Sequence, residues 1–166
     1  GLTQMVVVGI DPGTATTGYG LVRETPGGIE AVTYGVITTP AGIPLEKRLL
    51  QLYSELKEII GFHQPKSAAV EKLFFQRNVT SALSVGHARG IALLVMAEMN
   101  IPVCEYSPLE VKQAVSGYGG ADKHQVQQMV KILLNLPELP HPDDAADALA
   151  VAICHLHSST IDQLLE

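Results

Sequence analysis

The stretch Met5-Val-Val-Val-Gly-Ile10 constrains the fold more than any other part of the chain. Its apolar residues are largely β-branched and do not alternate with polar ones, as expected of a central strand buried on both faces. A strand of that kind needs helices above and below it, which places the chain in the α/β class. Pro12 cannot continue a central ladder and Gly13 permits a turn, so Asp11 stands where the strand stops. A second short strand, within Ser67-Ala-Ala-Val-Glu71, follows the breaker Gln64-Pro65 and carries Glu71 at its end. A carboxylate at the end of a buried strand has to be paired, metal-bound or protonated.

A third group of acids lies in Pro142-Asp-Asp-Ala-Ala-Asp-Ala-Leu-Ala150, where Asp143, Asp144 and Asp147 crowd the start of an apolar, alanine-rich helix. Residues three apart on a helix share a face, so Asp144 and Asp147 can reach one common point. Ala145, Ala146 and Ala148 leave that approach open. Taken alone, these acids could equally serve as an N-cap and as charges favoured by the helix dipole. With two strand-end acids added, a Mg²⁺ site is the better reading, because hard divalent cations select clustered oxygen ligands. Asp143 reads as the N-cap, leaving Asp144 and Asp147 for the site.

The remaining pattern orders the elements. Strands are expected at Met5–Ile10, Tyr19–Glu24 and Ile29–Thr38, with a hairpin turn at Gly27-Gly28. A helix after Pro44 places Leu45, Leu49, Leu52, Leu56 and Ile60 on one stripe and Glu46, Lys47, Arg48 and Glu55 on the other. The Glu71 strand precedes a helix over Thr80–Met99 that is apolar nearly all round, as a helix buried on both sides would be. Strand Ile101–Tyr106 leads into Ser107-Pro-Leu-Glu110, a capping box with Pro at the first helical position. Asp122 starts a further helix through Leu134. The expected architecture is a five-stranded mixed sheet with helices on both faces, in a single domain over residues 5–157 with tails at 1–4 and 158–166.

Gly9-Ile-Asp-Pro-Gly-Thr14, Gly18-Tyr-Gly20, Val70-Glu-Lys-Leu-Phe-Phe75, Ala88-Arg-Gly90, Pro108-Leu-Glu-Val-Lys-Gln113 and Asp144-Ala-Ala-Asp-Ala-Leu-Ala150 follow one another along the chain. In this order and at these separations they resemble the RuvC family of bacterial Holliday-junction resolvases, on the ribonuclease-H-like fold, from about Met5 to about His157. The resemblance implies a Mg²⁺-dependent endonuclease that resolves four-way DNA junctions by paired symmetric nicks during recombination and repair. It implies two Mg²⁺ per subunit, with Mn²⁺ as a substitute, held by Asp11, Glu71, Asp144 and Asp147. Asp11 would bridge the metals, although family members vary at the Asp144 position, some carrying His. Lys112 and Lys123 match lysines that contact DNA phosphate. Phe74 matches an aromatic that inserts among bases at the junction centre, and Arg77 and Arg89 are further phosphate-contact candidates, while Phe75 reads as core. The resemblance also implies a homodimer through the helix around Ala82–Val95, cleavage at a short thymine-containing sequence leaving ligatable ends, and work beside a branch-migration helicase of the RuvA and RuvB type.

The net charge of −6 runs against a DNA-binding role. Four of the acids are the proposed site, however, and two Mg²⁺ ions would bring the balance to about −2. Between Lys72 and Lys131 the six Lys and Arg exceed the four acids Glu98, Glu105, Glu110 and Asp122, which permits a local phosphate-binding face. No apolar run reads as a membrane span and no leader pattern opens the chain. Cys104 and Cys154 lack metal-site spacing and read as reduced thiols of a cytoplasmic protein. His155 and His157 read as partly exposed helix-end residues. The nearest rival reading is an actin- or sugar-kinase-like ATPase, whose phosphate loop shares Asp-x-Gly-Thr. That architecture needs two such domains and gives Asp144-x-x-Asp147 no role. Another nuclease of the same fold, or a non-catalytic binding module, completes the alternatives.

Overall fold

The computed structural model describes residues 5–72 and 79–158. Strand β1 (Val6–Asp11) runs through the middle of a five-stranded sheet of order β3-β2-β1-β4-β5, with β2 at Thr16–Thr25, β3 at Gly28–Thr38, β4 at Ser67–Glu71 and β5 at Val103–Tyr106. β1 pairs antiparallel with β2 and parallel with β4, and β4 pairs parallel with β5, so the sheet is mixed. The hairpin between β2 and β3 closes with Thr25 opposite Gly28, so its two-residue loop is Pro26-Gly27.

Two helical layers cover the sheet. Helices α1 (Leu45–His63) and α2 (Val79–Glu98) bury Val8, Ile10, Leu21, Ala68 and Val70 on one face. Helices α3 (Pro108–Ser116), α4 (Lys123–Leu133) and α5 (Asp143–Leu156) bury Val7, Val22, Ala69 and Tyr106 on the other. Because side chains alternate along a strand, residues in step with Val7 on β1 and with Ala69 on β4 face α5. Asp11 and Glu71 fall in those two series, so both acids lie on the α5 side, at the carboxyl ends of neighbouring parallel strands. Open α/β sheets build their ligand sites at such ends.

Several sequence expectations change here. The α1 stripe buries Leu52, Leu56 and Ile60, but Leu45 is 42% exposed in the first turn. α2 buries Ala88, Ala92, Val95 and Met96 while leaving Val79, Leu83 and Leu94 exposed, so it is not sandwiched on both sides within one chain. It is also long and apolar enough to qualify as a membrane span by composition, contrary to the reading that no such run exists. Its inner stripe instead packs on α1 and the sheet. The capping boxes at Ser107/Glu110 and Asp122/Gln125 form as their sequences require. Asp143 is not a cap: Pro142 occupies the N-cap position and Asp143 begins the helix.

Candidate active site

The placement of α5 against the sheet decides the site. A Cβ on Gly9 would stand 2.1 Å from the Ala148 carbonyl oxygen, and one on Gly18 would stand 1.9 Å from that of Asp144. Any side chain at either position would push the helix off the sheet. Gly18 is the register partner of Asp11, so the start of α5 lies directly over the end of β1. The glycines of Gly9-Ile-Asp11 and Gly18-Tyr-Gly20 are thus required by close backbone approach. The turn after Asp11 is fixed by Thr17, whose hydroxyl donates to the Gly13 carbonyl at 2.6 Å and accepts from the Gly13 amide at 3.2 Å. Thr14 donates to the Ser84 carbonyl at 2.7 Å, tying the same turn to α2.

Asp11, Glu71 and Asp147 line one cleft of about 400 Å³ together with Lys72 and Arg89. A second cleft of about 230 Å³ shares Glu71, Pro108 and Asp147 with it and adds Lys112 and Lys123. Asp144 joins through its side chain, which is hydrogen-bonded to the Asp11 carboxyl. The acids disturb one another. Burial, then the charge of Asp147, the hydrogen bond and charge of Asp144 and the charge of Glu71, push Asp11 from 3.8 to about 8. Glu71 is raised by burial and by Asp147, with Lys112 and Lys123 opposing. Asp147 is raised by burial and by Asp144 and Asp143, with Lys123 opposing. A carboxyl pushed up by burial and by neighbouring acids marks a cluster whose negative charge is not fully balanced.

Whether this donor set suits a divalent metal follows from its chemistry. Four carboxyl groups from β1, β4 and α5 offer hard oxygen ligands, and the disturbance of Asp11 is what a bound cation would relieve. Among the described residues, no three acidic, histidine or cysteine side chains already stand in a metal-holding arrangement. The place near Asp147 is taken by an ammonium: Lys123 Nζ lies 3.4 Å from Asp147 Oδ2 and 3.4 Å from Asp143 Oδ2. The residues fit a metal in number and type, and Lys123 stands beside Asp147, one of the four.

The other expected site residues fall unevenly. Lys112 and Lys123 border the acids in the second cleft. Arg89 lies in the cleft wall, but its guanidinium is engaged internally. It donates to the Glu71 carbonyl at 2.7 Å and forms a short ion pair with Glu105. With only 12% of its side chain exposed, it buttresses the end of β4. Phe74, Phe75 and Arg77 lie outside the described residues.

His155 is a correction. Far from being a half-exposed helix end, it is fully buried, with Nε2 2.8 Å from Ser67 Oγ and Nδ1 2.6 Å from Tyr106 Oη. Burial lowers its pKa from 6.5 to about 4, so the ring is neutral at physiological pH. The triplet joins α5 to β4 and β5, the elements that carry Asp147 and Glu71. Sequence reasoning missed it because a histidine near a helix end normally suits the helix dipole in water. The one available signal was its place in an otherwise unbroken apolar run. His157 is exposed, as expected.

The comparisons agree with the geometry. The family model for crossover junction endodeoxyribonuclease RuvC matches residues 7–155. A crossover junction endodeoxyribonuclease RuvC of Syntrophomonas wolfei is 54% identical over 162 residues, covering 98% of this chain and 94% of that relative. One of Chloroflexus aggregans is 58% identical over 155 residues, covering 93% and 94%. Among solved structures, RuvC of T. thermophilus in complex with a Holliday junction substrate superposes with a TM-score of 0.89 at 36% identity, over 95% of this chain and 96% of that one. The yeast mitochondrial Holliday junction resolvase, at 15% identity and a TM-score of 0.62, shares the fold alone. With matches that span nearly its whole length, the chain belongs to the RuvC family of crossover junction endodeoxyribonucleases.

Proposed function

We propose that this protein is a Mg²⁺-dependent endonuclease that resolves four-way DNA junctions by paired symmetric nicks, with two metal ions per subunit. The observation that carries the reading is the burial and crowding of Asp11 with Glu71, Asp144 and Asp147, which push Asp11 up to about 8. These four residues would hold the metal, Asp11 from the end of the central strand. Bound there, the metal supplies a nucleophilic water near neutral pH and stabilises the departing oxygen.

The chain's own groups do the rest. Lys112 and Lys123 bind the backbone phosphate next to the acids and lower its charge. Arg89 keeps the end of β4, and with it the Glu71 carboxylate, at a fixed height in the cleft. Ile10, Val85 and Val151 give the cleft an apolar wall beside the acids. Phe74, outside the described residues, serves the junction centre, where stacking on an aromatic is worth roughly 1–3 kcal/mol per base, and Arg77 is a phosphate contact.

The outer face of α2 supports a homodimer. Val79, Leu83, Gly86, Gly90 and Leu94 recur at the spacing of one helical face, and Val79, Leu83 and Leu94 are 73%, 57% and 50% exposed. An isologous pairing through that stripe would give two cleavage sites for a substrate that is itself nearly two-fold symmetric. The protein would work on chromosomal DNA in the cytoplasm, beside a branch-migration helicase.

The test is cleavage of a synthetic four-way junction, a matched linear duplex and an RNA–DNA hybrid with and without Mg²⁺, with ATP hydrolysis as control. Metal-dependent paired nicks confined to the junction are expected. Equal cleavage of the hybrid, or ATP hydrolysis without nicking, would overturn the reading.

A further inference from the structure

We infer that Lys123 is an internal counter-ion that competes with the metal for Asp147 and is released to DNA when the metal arrives. The inference rests on the four-acid metal site proposed above and adds a coupling to it. Lys123 Nζ is 3.4 Å from both Asp147 Oδ2 and Asp143 Oδ2, and among the described residues it is the cation paired with an acid of the site. Its backbone is fixed: it is the first residue of α4, set directly after Asp122, whose side chain accepts from the Gln125 amide at 2.8 Å. Its ammonium is not, since 57% of the side chain is exposed. A rigid base with a free end can swing between partners without unfolding anything.

The magnitudes allow such an exchange. An exposed ion pair is weak, whereas a hard divalent ion binds several oxygens at once. A metal ligated by Asp147 therefore displaces the ammonium, and it also cancels the charge that drew the ammonium in. Lys123 then faces the cleft it shares with Lys112, where a phosphate is the available anion. The effect is reciprocal by linkage: DNA that captures Lys123 uncovers Asp147, so DNA tightens metal by the same factor as metal tightens DNA. Lys112, which lines the same cleft, is in no ion pair with Asp147 among the described residues and has no such part.

The test is titration calorimetry with Mg²⁺ alone on the DNA-free protein, comparing wild type, Lys123→Ala, Lys123→Arg and Lys112→Ala. Lys123→Ala should bind Mg²⁺ about two- to fivefold more tightly than wild type, the range that an exposed pair is worth. Lys123→Arg, which keeps the pair, should stay near wild type, and Lys112→Ala should change less than Lys123→Ala. A second arm measures junction affinity in Ca²⁺ and in EDTA, where the gain from metal should shrink in Lys123→Ala. Identical Mg²⁺ affinity in wild type and Lys123→Ala, or an equal gain in Lys112→Ala, would overturn the inference while leaving the metal site standing. Wild type that binds no divalent ion would overturn the site itself, and the inference with it.

Discussion

Asp11 and His155 respond to pH in opposite directions, and the signs follow from their surroundings. Asp11 is raised from 3.8 to about 8 in the metal-free protein. It binds its proton more tightly folded than unfolded, so its support for folding is complete below 3.8 and is lost as pH rises to about 8. His155 is lowered from 6.5 to about 4. Its support is present above 6.5 and is lost as pH falls to about 4. In EDTA, the melting temperature of wild type should therefore drop between pH 6.5 and pH 8.5. Asp11→Asn should flatten that drop and saturating Mg²⁺ should abolish it. Parallel curves for wild type and Asp11→Asn would contradict this assignment of strain. His155→Phe should act everywhere in pH, because it leaves the Ser67 and Tyr106 hydroxyls without their buried partner. Each orphaned group costs about 1–3 kcal/mol, which a denaturant midpoint reads. An unchanged midpoint would mean that the triplet carries no stability.

The elements show which parts of the molecule local sequence determines. β1 was legible because an unalternating β-branched run admits few other structures, and Asp11 followed from the Pro-Gly that ends it. The two capping boxes were legible because each is closed within four residues. What could not be read depended on contacts distant in the chain. The crossing of α5 over Gly9 and Gly18 needs both partners in view, as does the Ser67–His155–Tyr106 triplet. Asp143 failed as a cap because Pro142 already holds the extended backbone of that position. The pairing of Lys123 with Asp147 joins α4 to α5, and its spacing carries no local signal. Gly18→Ala tests the crossing. Overpacking of this kind costs about 1–3 kcal/mol, and the displaced Asp144 should lower cleavage further than the loss of folded protein explains. Gly27→Ala, with nothing within 4 Å of the added carbon, is the control. Equal behaviour of the two variants would remove the close approach as the reason for Gly18.

At the level of the assembled protein, the two helical layers divide the work. The sheet face under α3–α5 holds the acids and the two lysines, while α2 on the opposite face exposes an apolar stripe, which the proposed dimer would use. Leu83→Glu places a charge in that stripe and should yield a folded monomer in sedimentation velocity, able to bind a junction but not to make paired nicks. A variant that remains dimeric would move the interface elsewhere. In the proposed function the acids bear the chemistry, so replacing one of them should separate cleavage from binding. Single-turnover cleavage of a four-way junction in Mg²⁺ by Asp11→Asn, with bound junction measured in the same samples, makes that separation. Cleavage should be abolished while binding equals or exceeds that of wild type, since a negative charge facing phosphate has been removed. Nicking by Asp11→Asn at a rate near that of wild type would contradict the four-carboxylate metal site.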